Sequence, residues 1–263
     1  EMVGQGDRFW PLRMARELDD ALLHLRFNEL EIAVIAFKTS GDPAAVLAHD
    51  GFLAANQVDW LAREISLFWT RVMKRVDLTS RSLVTLIEPG SCFAGFLAEL
   101  AFASDRSFIA EGVFEGDNRA DAALLLSAAN FGPHPMSNGL SRLATRFLGE
   151  PETLEGLVGR AGQRLEAGET EALGLVTAAL DDIDWDDEVR LFLQERASFS
   201  PDALTGLEAN TRFAGPETME TKIFGRLTAW QNWIFQRANA VGETGALGRY
   251  GSGQPTVFDR RRV

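Results

Sequence analysis

The stretch from Ser82 to Asp105 constrains this chain more than any other. Ser82-Leu83-Val84-Thr85-Leu86-Ile87-Glu88 is an apolar, β-branched run with no polar alternation. Such a run suits a strand covered on both faces. Pro89-Gly90 stops it, and residues 95–103 then read as a helix ending near Asp105. A second run of the same kind spans residues 31–38 (Glu-Ile-Ala-Val-Ile-Ala-Phe-Lys), between Asn28 and Ser40-Gly41-Asp42-Pro43. Two amphipathic segments surround these runs. Residues 10–28 carry Met14, Leu18, Ala21, Leu22 and Leu25 at helical steps, and residues 57–76 carry Trp60, Ile65, Phe68, Trp69 and Val72. Strands alternating with such helices predict an α/β chain with largely parallel pairing.

The remainder is less regular. Residues 111–139 are rich in Gly and Pro and read as loop. Helices are expected at 139–148, 151–166, 168–174, 186–198 and 216–238. Asp181-Asp182-Ile183-Asp184-Trp185-Asp186-Asp187-Glu188 is an acidic cluster, but it lacks the glycine and terminal glutamate of an EF-hand. A helix N-terminus, where acids meet the positive end of the dipole, accounts for it better. The last segment is polar and Gly-rich and ends in Arg260-Arg261-Arg262. A core over residues 1–200 and a helical extension with a tail over 201–263 follow from this pattern.

Composition excludes several classes. With 38 acidic and 26 basic residues the net charge is −12, which argues against a nucleic-acid partner. Cys92 is the single cysteine, so no intrachain disulfide or Cys-rich zinc site can form, and a reducing cytoplasm suits the chain. His24, His49 and His134 lie too far apart for a metal-ligand spacing. No apolar stretch approaches a membrane span, and the first residues lack the layout of a signal peptide. The sequence opens on Glu1 rather than methionine, as a piece of something longer would.

A helix that starts after a Gly-bearing turn presents free backbone N–H groups at its positive end. The segment after Pro89-Gly90 could therefore hold an anion or a developing oxyanion. A plain strand–helix connection is the alternative, and the residues alone leave both open. Here the sequence resembles the crotonase (enoyl-CoA hydratase/isomerase) superfamily. Glu99-Leu100-Ala101, with Asp105 six residues after the glutamate, matches that family's spacing. Asn138-Gly139-Leu140-Ser141-Arg142-Leu143 and Glu169-Thr170-Glu171-Ala172-Leu173-Gly174-Leu175-Val176 resemble two later family stretches, so the likeness covers roughly residues 10–190.

A closer resemblance, running nearly end to end, is to the C-terminal half of the benzoyl-CoA-dihydrodiol lyase family. It is carried by Phe9-Trp10-Pro11-Leu12-Arg13-Met14, Glu88-Pro89-Gly90-Ser91-Cys92-Phe93-Ala94-Gly95, Asn130-Phe131-Gly132-Pro133, and the segment from Phe213 to Phe235. The resemblance implies a crotonase-like ββα spiral with a C-terminal helical extension. It implies hydrolytic ring opening of 2,3-epoxybenzoyl-CoA to 3,4-didehydroadipyl-CoA semialdehyde and formate. An acyl-CoA substrate, a homo-oligomer and an N-terminal crotonase half go with it. No metal or redox cofactor is implied, CoA being part of the substrate. Two other functions remain alongside: a non-catalytic half that completes a dimer and a pocket, and a stand-alone enoyl-CoA hydratase or isomerase.

Carried over position by position, the family's machinery is only partly present. Crotonases hold a thioester oxygen with two backbone N–H groups and move protons with one or two glutamates. Glu99 stands where the first glutamate belongs and is the catalytic candidate. The second oxyanion donor is Phe96, beside Gly95, and its ring would crowd a thioester. The first donor is expected on the loop after the first strand, at His49, just before Asp50. The second glutamate's place is Ala128, which can neither give nor take a proton.

Each candidate also has a structural reading. Glu99 can instead pair with an arginine such as Arg106 or Arg142. Cys92, a substrate-binding candidate with Gly95, Phe96, His49 and His134, suits a small buried apolar position. His134, between two prolines, is either a pocket residue or a surface one. Glu115 and Asp117 suit an exposed turn. Trp230, Trp233 and Phe235 suit packing against another subunit or half. Arg260, Arg261 and Arg262 suit either a CoA phosphate or a solvated tail.

Overall fold

A computed structural model describes residues 2–112 and 114–262. Glu1, within the opening segment, Val113, within the predicted loop, and Val263, in the predicted tail, lie outside the described residues.

A short helix α1 (Met2–Gln5) precedes α2 (Trp10–Asn28), and the chain then enters strand β1 (Val34–Phe37). Helices α3 (Pro43–Ala55) and α4 (Trp60–Asp77) lead to β2 (Ser82–Ile87). A 3-10 turn over Gly95–Leu97 opens α5 (Ala98–Ala103), which returns to β3 (Arg106–Ala110). Strand β4 (Ala123–Leu125), helices α6 (Arg142–Arg146) and α7 (Pro151–Val158), strand β5 (Arg164–Glu166), helix α8 (Ala167–Ala172) and strand β6 (Ala178–Leu180) follow. Helices α9 (Trp185–Ser198), α10 (Pro201–Thr211), α11 (Met219–Thr221), α12 (Thr228–Ile234) and α13 (Ala238–Val241) form the C-terminal part.

Four strands form one parallel sheet in the order β1-β2-β3-β6. Strands β4 and β5 pair antiparallel beside it. Every residue of β2 is buried, as its unbroken apolar run demands. The stripe of α4 buries Ile65, Trp69, Val72 and Met73, and Trp69 Nε1 donates to the Pro11 carbonyl of α2 (3.0 Å). This one bond satisfies the indole and fixes the two helices against each other. Among the described residues no helix is long and apolar enough to cross a membrane.

Several expectations are corrected. The stretch after β1 is not a loop but α3: Asp42 caps it by accepting from Ala44 N (2.9 Å), and Pro43 occupies its first turn. The helix expected over 151–166 stops at Val158, and Gly162 (φ +81) turns the chain into β5. The predicted loop over 111–139 contains β4 and a 3-10 turn, Ala128–Phe131. The helix expected over 216–238 is broken by a π-helical turn at Lys222–Leu227. Strands β3 and β6 and helix α10 carry no strong pattern of their own and were not among the predicted elements. The acidic cluster does start a helix, with Asp181 Oδ1 accepting from Ile183 N (3.1 Å) and Asp184 N (2.9 Å).

Candidate functional site

Glu99 lies in the first turn of α5 and is 1% exposed. Both of its oxygens are engaged. Asn130 Nδ2 donates to Oε1 (2.7 Å), and Arg142 Nη1 donates to Oε2 (2.7 Å). Arg142 reaches on to Asp77 with Nε (3.0 Å) and Nη2 (2.7 Å), a two-pronged pair. The partner is thus Arg142 and not Arg106. Burial pushes the Glu99 carboxyl upward, against the pull of Arg142 and the hydrogen bond from Asn130. Burial also pushes Asp77 upward, opposed by Arg142.

Asn130 ties this network to the turn before α5. Its Nδ2 also donates to the Gly95 carbonyl (2.9 Å), and its Oδ1 accepts from Ser127 N (2.9 Å). Ser127 Oγ in turn donates to Asp50 Oδ2 on α3. Gly95 sits at φ +48, and a Cβ there would come within 2.5 Å of Asp50 Oδ2. Glycine is therefore required twice over, by backbone conformation and by the carboxylate against it.

Beyond Asp50 and Ser127 opens a cavity of about 380 Å³, walled by Leu53, Trp69, Phe96 and Ala128 and reaching His134. The Phe96 ring packs against Trp69 (4.7 Å between centroids) and Trp10 (5.8 Å). It fills the inner wall, as its size suggests. Burial pushes the Asp50 carboxyl upward, with the Ser127 hydroxyl partly opposing. His134 is buried, its Nδ1 lying 3.0 Å from Thr70 Oγ1 and its carbonyl accepting from Arg142 Nη1 (3.0 Å). Burial, helped by the nearby Arg142 charge, lowers His134 to about 4, so its imidazole is neutral at pH 7.

The sequence candidates thus separate. Phe96 and His134 line the cavity, together with Asp50, Ser127 and Ala128. Gly95 contacts it through Asp50. His49 does not line it: its ring stacks on Trp10 (5.1 Å). His49 sits in the second turn of α3, where an N–H belongs to the helical ladder. Burial lowers the His49 pKa. Cys92 is buried beside Gly41, its N–H donating to Thr39 Oγ1 (2.9 Å), and burial raises its thiol. Glu115 is exposed, and Asp117 pairs with Arg119. Trp230 and Trp233 meet edge to face (5.3 Å) within the extension. Arg260 closes the end of α9 by donating to the Ala197 (2.9 Å) and Ser198 (3.0 Å) carbonyls. Arg261 pairs with Asp259, and Arg262 is buried with its N–H on Leu30 O (3.1 Å).

Asp50 and Ser127 escaped the sequence reading as site residues. They lie 77 positions apart, and no local pattern joins them.

No family model matches the chain. It is 51% identical over its whole length to a benzoyl-CoA-dihydrodiol lyase from Aromatoleum evansii, and it spans 46% of that protein. Among solved structures, an enoyl-CoA hydratase from Bacillus anthracis superposes with a TM-score of 0.68 at 16% identity, covering 95% of this chain and 90% of that one. An enoyl-CoA hydratase/isomerase from Cupriavidus metallidurans gives 0.66 at 17% identity, covering 94% and 88%. At such identities the superpositions speak for the fold. The chain is therefore a relative of benzoyl-CoA-dihydrodiol lyase, matched along about half that protein's length, and it is built on the crotonase fold of the enoyl-CoA hydratases.

Proposed function

We propose that this chain forms the C-terminal half of an enzyme that opens the ring of 2,3-epoxybenzoyl-CoA, giving 3,4-didehydroadipyl-CoA semialdehyde and formate. The observation that carries the reading is the 51% identity over the whole length of the chain. Identity at about half of all positions over the full length is what a shared enzyme would require. The same relationship supports an acyl-CoA substrate and a partner half with a crotonase fold. A cytoplasmic setting and a homo-oligomer belong to the same reading.

Glu99 enters this reading as a positioning group. With both oxygens held by Asn130 and Arg142, its carboxylate serves the network that shapes the cavity. Ala128 on the cavity wall cannot supply a second carboxylate. Ordinary two-glutamate hydratase chemistry is disfavoured here, since a missing acid or base costs about 10²–10⁴ in rate.

The experiment is an assay of the full-length gene product with 2,3-epoxybenzoyl-CoA, measuring formate and the semialdehyde. Stoichiometric formate supports the reading. Consumption of crotonyl-CoA with no formate from the epoxide would replace it with a hydratase.

A further inference from the structure

We infer that the cavity beside Phe96 is an acid–base site in its own right, in which His134 Nε2 takes a proton and the Asp50 carboxyl gives one, on an uncharged and mostly apolar substrate. Neither residue belongs to the glutamate pair of the fold's enzymes. Both line the same cavity, with Phe96, Trp69 and Leu53 as its apolar walls.

The hydrogen-bond partners of Thr70 fit the imidazole tautomer protonated at Nδ1. Thr70 Oγ1 lies 3.1 Å from the Ser66 carbonyl, 3.3 Å from the Pro133 carbonyl and 3.0 Å from His134 Nδ1. Two carbonyls that only accept compete with Nδ1 for the single hydroxyl proton, and with the proton on either of them the hydroxyl oxygen is free to accept. The hydroxyl then accepts from Nδ1–H, which leaves Nε2 with its lone pair. No described residue donates to Nε2. Arg142 is the charged group that faces His134, holding its carbonyl (3.0 Å) and disfavouring a second positive charge. A neutral base with one free nitrogen is the result.

Asp50 is the complementary partner. It is 8% exposed on α3, and the group that faces it is the Ser127 hydroxyl. Among the described residues no arginine or lysine pairs with it, and burial pushes its carboxyl upward against the Ser127 hydrogen bond. Burial that pushes a carboxyl upward and an imidazole downward in one cavity makes an acid and a base available together. The two have opposite tasks. An apolar wall then favours a substrate with no charge at the reacting centre.

The identity of that substrate rests on the ring-opening reading, whereas the acid–base pair does not. On an epoxide the step balances. His134 Nε2 takes a proton from water as the water oxygen bonds to one ring carbon. The epoxide C–O bond breaks with its electron pair on oxygen, and that oxygen takes the Asp50 proton. Imidazolium and carboxylate remain and exchange one proton through solvent.

Two measurements test the proposal. The first is ¹⁵N NMR of the His134 imidazole in the full chain at pH 7, titrated with benzamide as an uncharged aromatic probe. An unprotonated Nε2 whose resonance moves with benzamide is expected. A protonated Nε2, or one blind to the probe, overturns the proposal whether or not the enzyme releases formate. The second is steady-state formate release by the full-length enzyme bearing Asp50→Asn or His134→Gln. Each is expected to lower kcat by about 100-fold or more with little change in KM. Asp50→Asn should also remove the loss of rate on the alkaline side of the pH profile. Rates within threefold of the unaltered enzyme for both variants would refute the pair. Absence of formate from the unaltered enzyme would refute the ring-opening reading alone, leaving the NMR result to decide on the pair.

Discussion

Arg142 Nη1 and Glu99 Oε2 meet at 2.7 Å with both side chains sealed from water, 0% and 1% exposed. Through the same guanidinium, α5 is joined to Asp77 at the end of α4 (2.7 Å), so three helices share one charge network. Removing one member of such a network leaves the others buried without a partner. Glu99→Ala is expected to cost about 3–5 kcal/mol of stability in chemical denaturation. Glu99→Gln keeps the shape and one acceptor, and about 1–3 kcal/mol is expected. In formate release, Glu99→Gln should stay near normal per folded molecule, because the residue positions and does not transfer protons. A rate loss far beyond the loss of folded protein would return Glu99 to the chemistry.

Gly95 tests the close approach of the turn to Asp50. Its φ of +48 disfavours any side chain, and a Cβ would meet Asp50 Oδ2 at 2.5 Å. Gly95→Ala should cost about 1–3 kcal/mol from backbone strain and displace the carboxyl from Ser127. Thermal unfolding together with benzamide affinity checks both parts, and a variant as stable as the parent would contradict the geometry.

Arg212, just past α10, locks the extension onto the core. Its guanidinium donates to Asp105 Oδ1 (3.1 Å) and Oδ2 (2.8 Å), and to the Arg81 carbonyl (2.8 Å). Asp105 itself accepts from Leu83 N (2.7 Å), so the lock reaches the start of β2. Arg212→Ala should cost about 3–5 kcal/mol. Limited proteolysis should then cut between α9 and α12 well before the core, a pattern absent from the parent.

His134 gives a pH signature. Its folded value of about 4 lies below the ordinary 6.5, so the unfolded chain binds the proton more readily. The contribution is complete above pH 6.5 and is lost as pH falls toward 4, amounting to about 3 kcal/mol. Buried carboxyls titrate in the opposite sense over nearby pH. The difference between the parent and His134→Gln therefore isolates the histidine. That difference in unfolding free energy should narrow as pH drops, and a constant gap would contradict a buried neutral imidazole.

Helix Trp10–Asn28 and strand Ser82–Ile87 stand where their apolar spacing puts them, because burial on one stripe or on two faces writes itself into local periodicity. Helix α3 carries its own start signal, Asp42 before Pro43, in the stretch where the family resemblance implies a loop. Strand β6 is three half-buried residues, Ala178 to Leu180, too short for any period to show. In the site, Glu99 and Arg142 were legible as a possible pair, since an acid on a buried helix must find a cation. The cavity's working face was not legible. Of its polar residues His134 alone stood out, as a histidine between two prolines; Asp50 and Ser127 join it only once α3, the β4 loop and the Pro133–Pro135 segment are folded.

If the acid–base pair acts on the substrate, this chain's cavity holds the reacting ring. A crystal structure of the full-length protein with benzoyl-CoA tests it most directly. The benzoyl ring is expected against Phe96 and Trp69, with its carbonyl end between Asp50 and His134. Benzoyl-CoA bound solely outside this chain, with the Asp50–Ser127 and His134–Thr70 contacts unchanged, would contradict it.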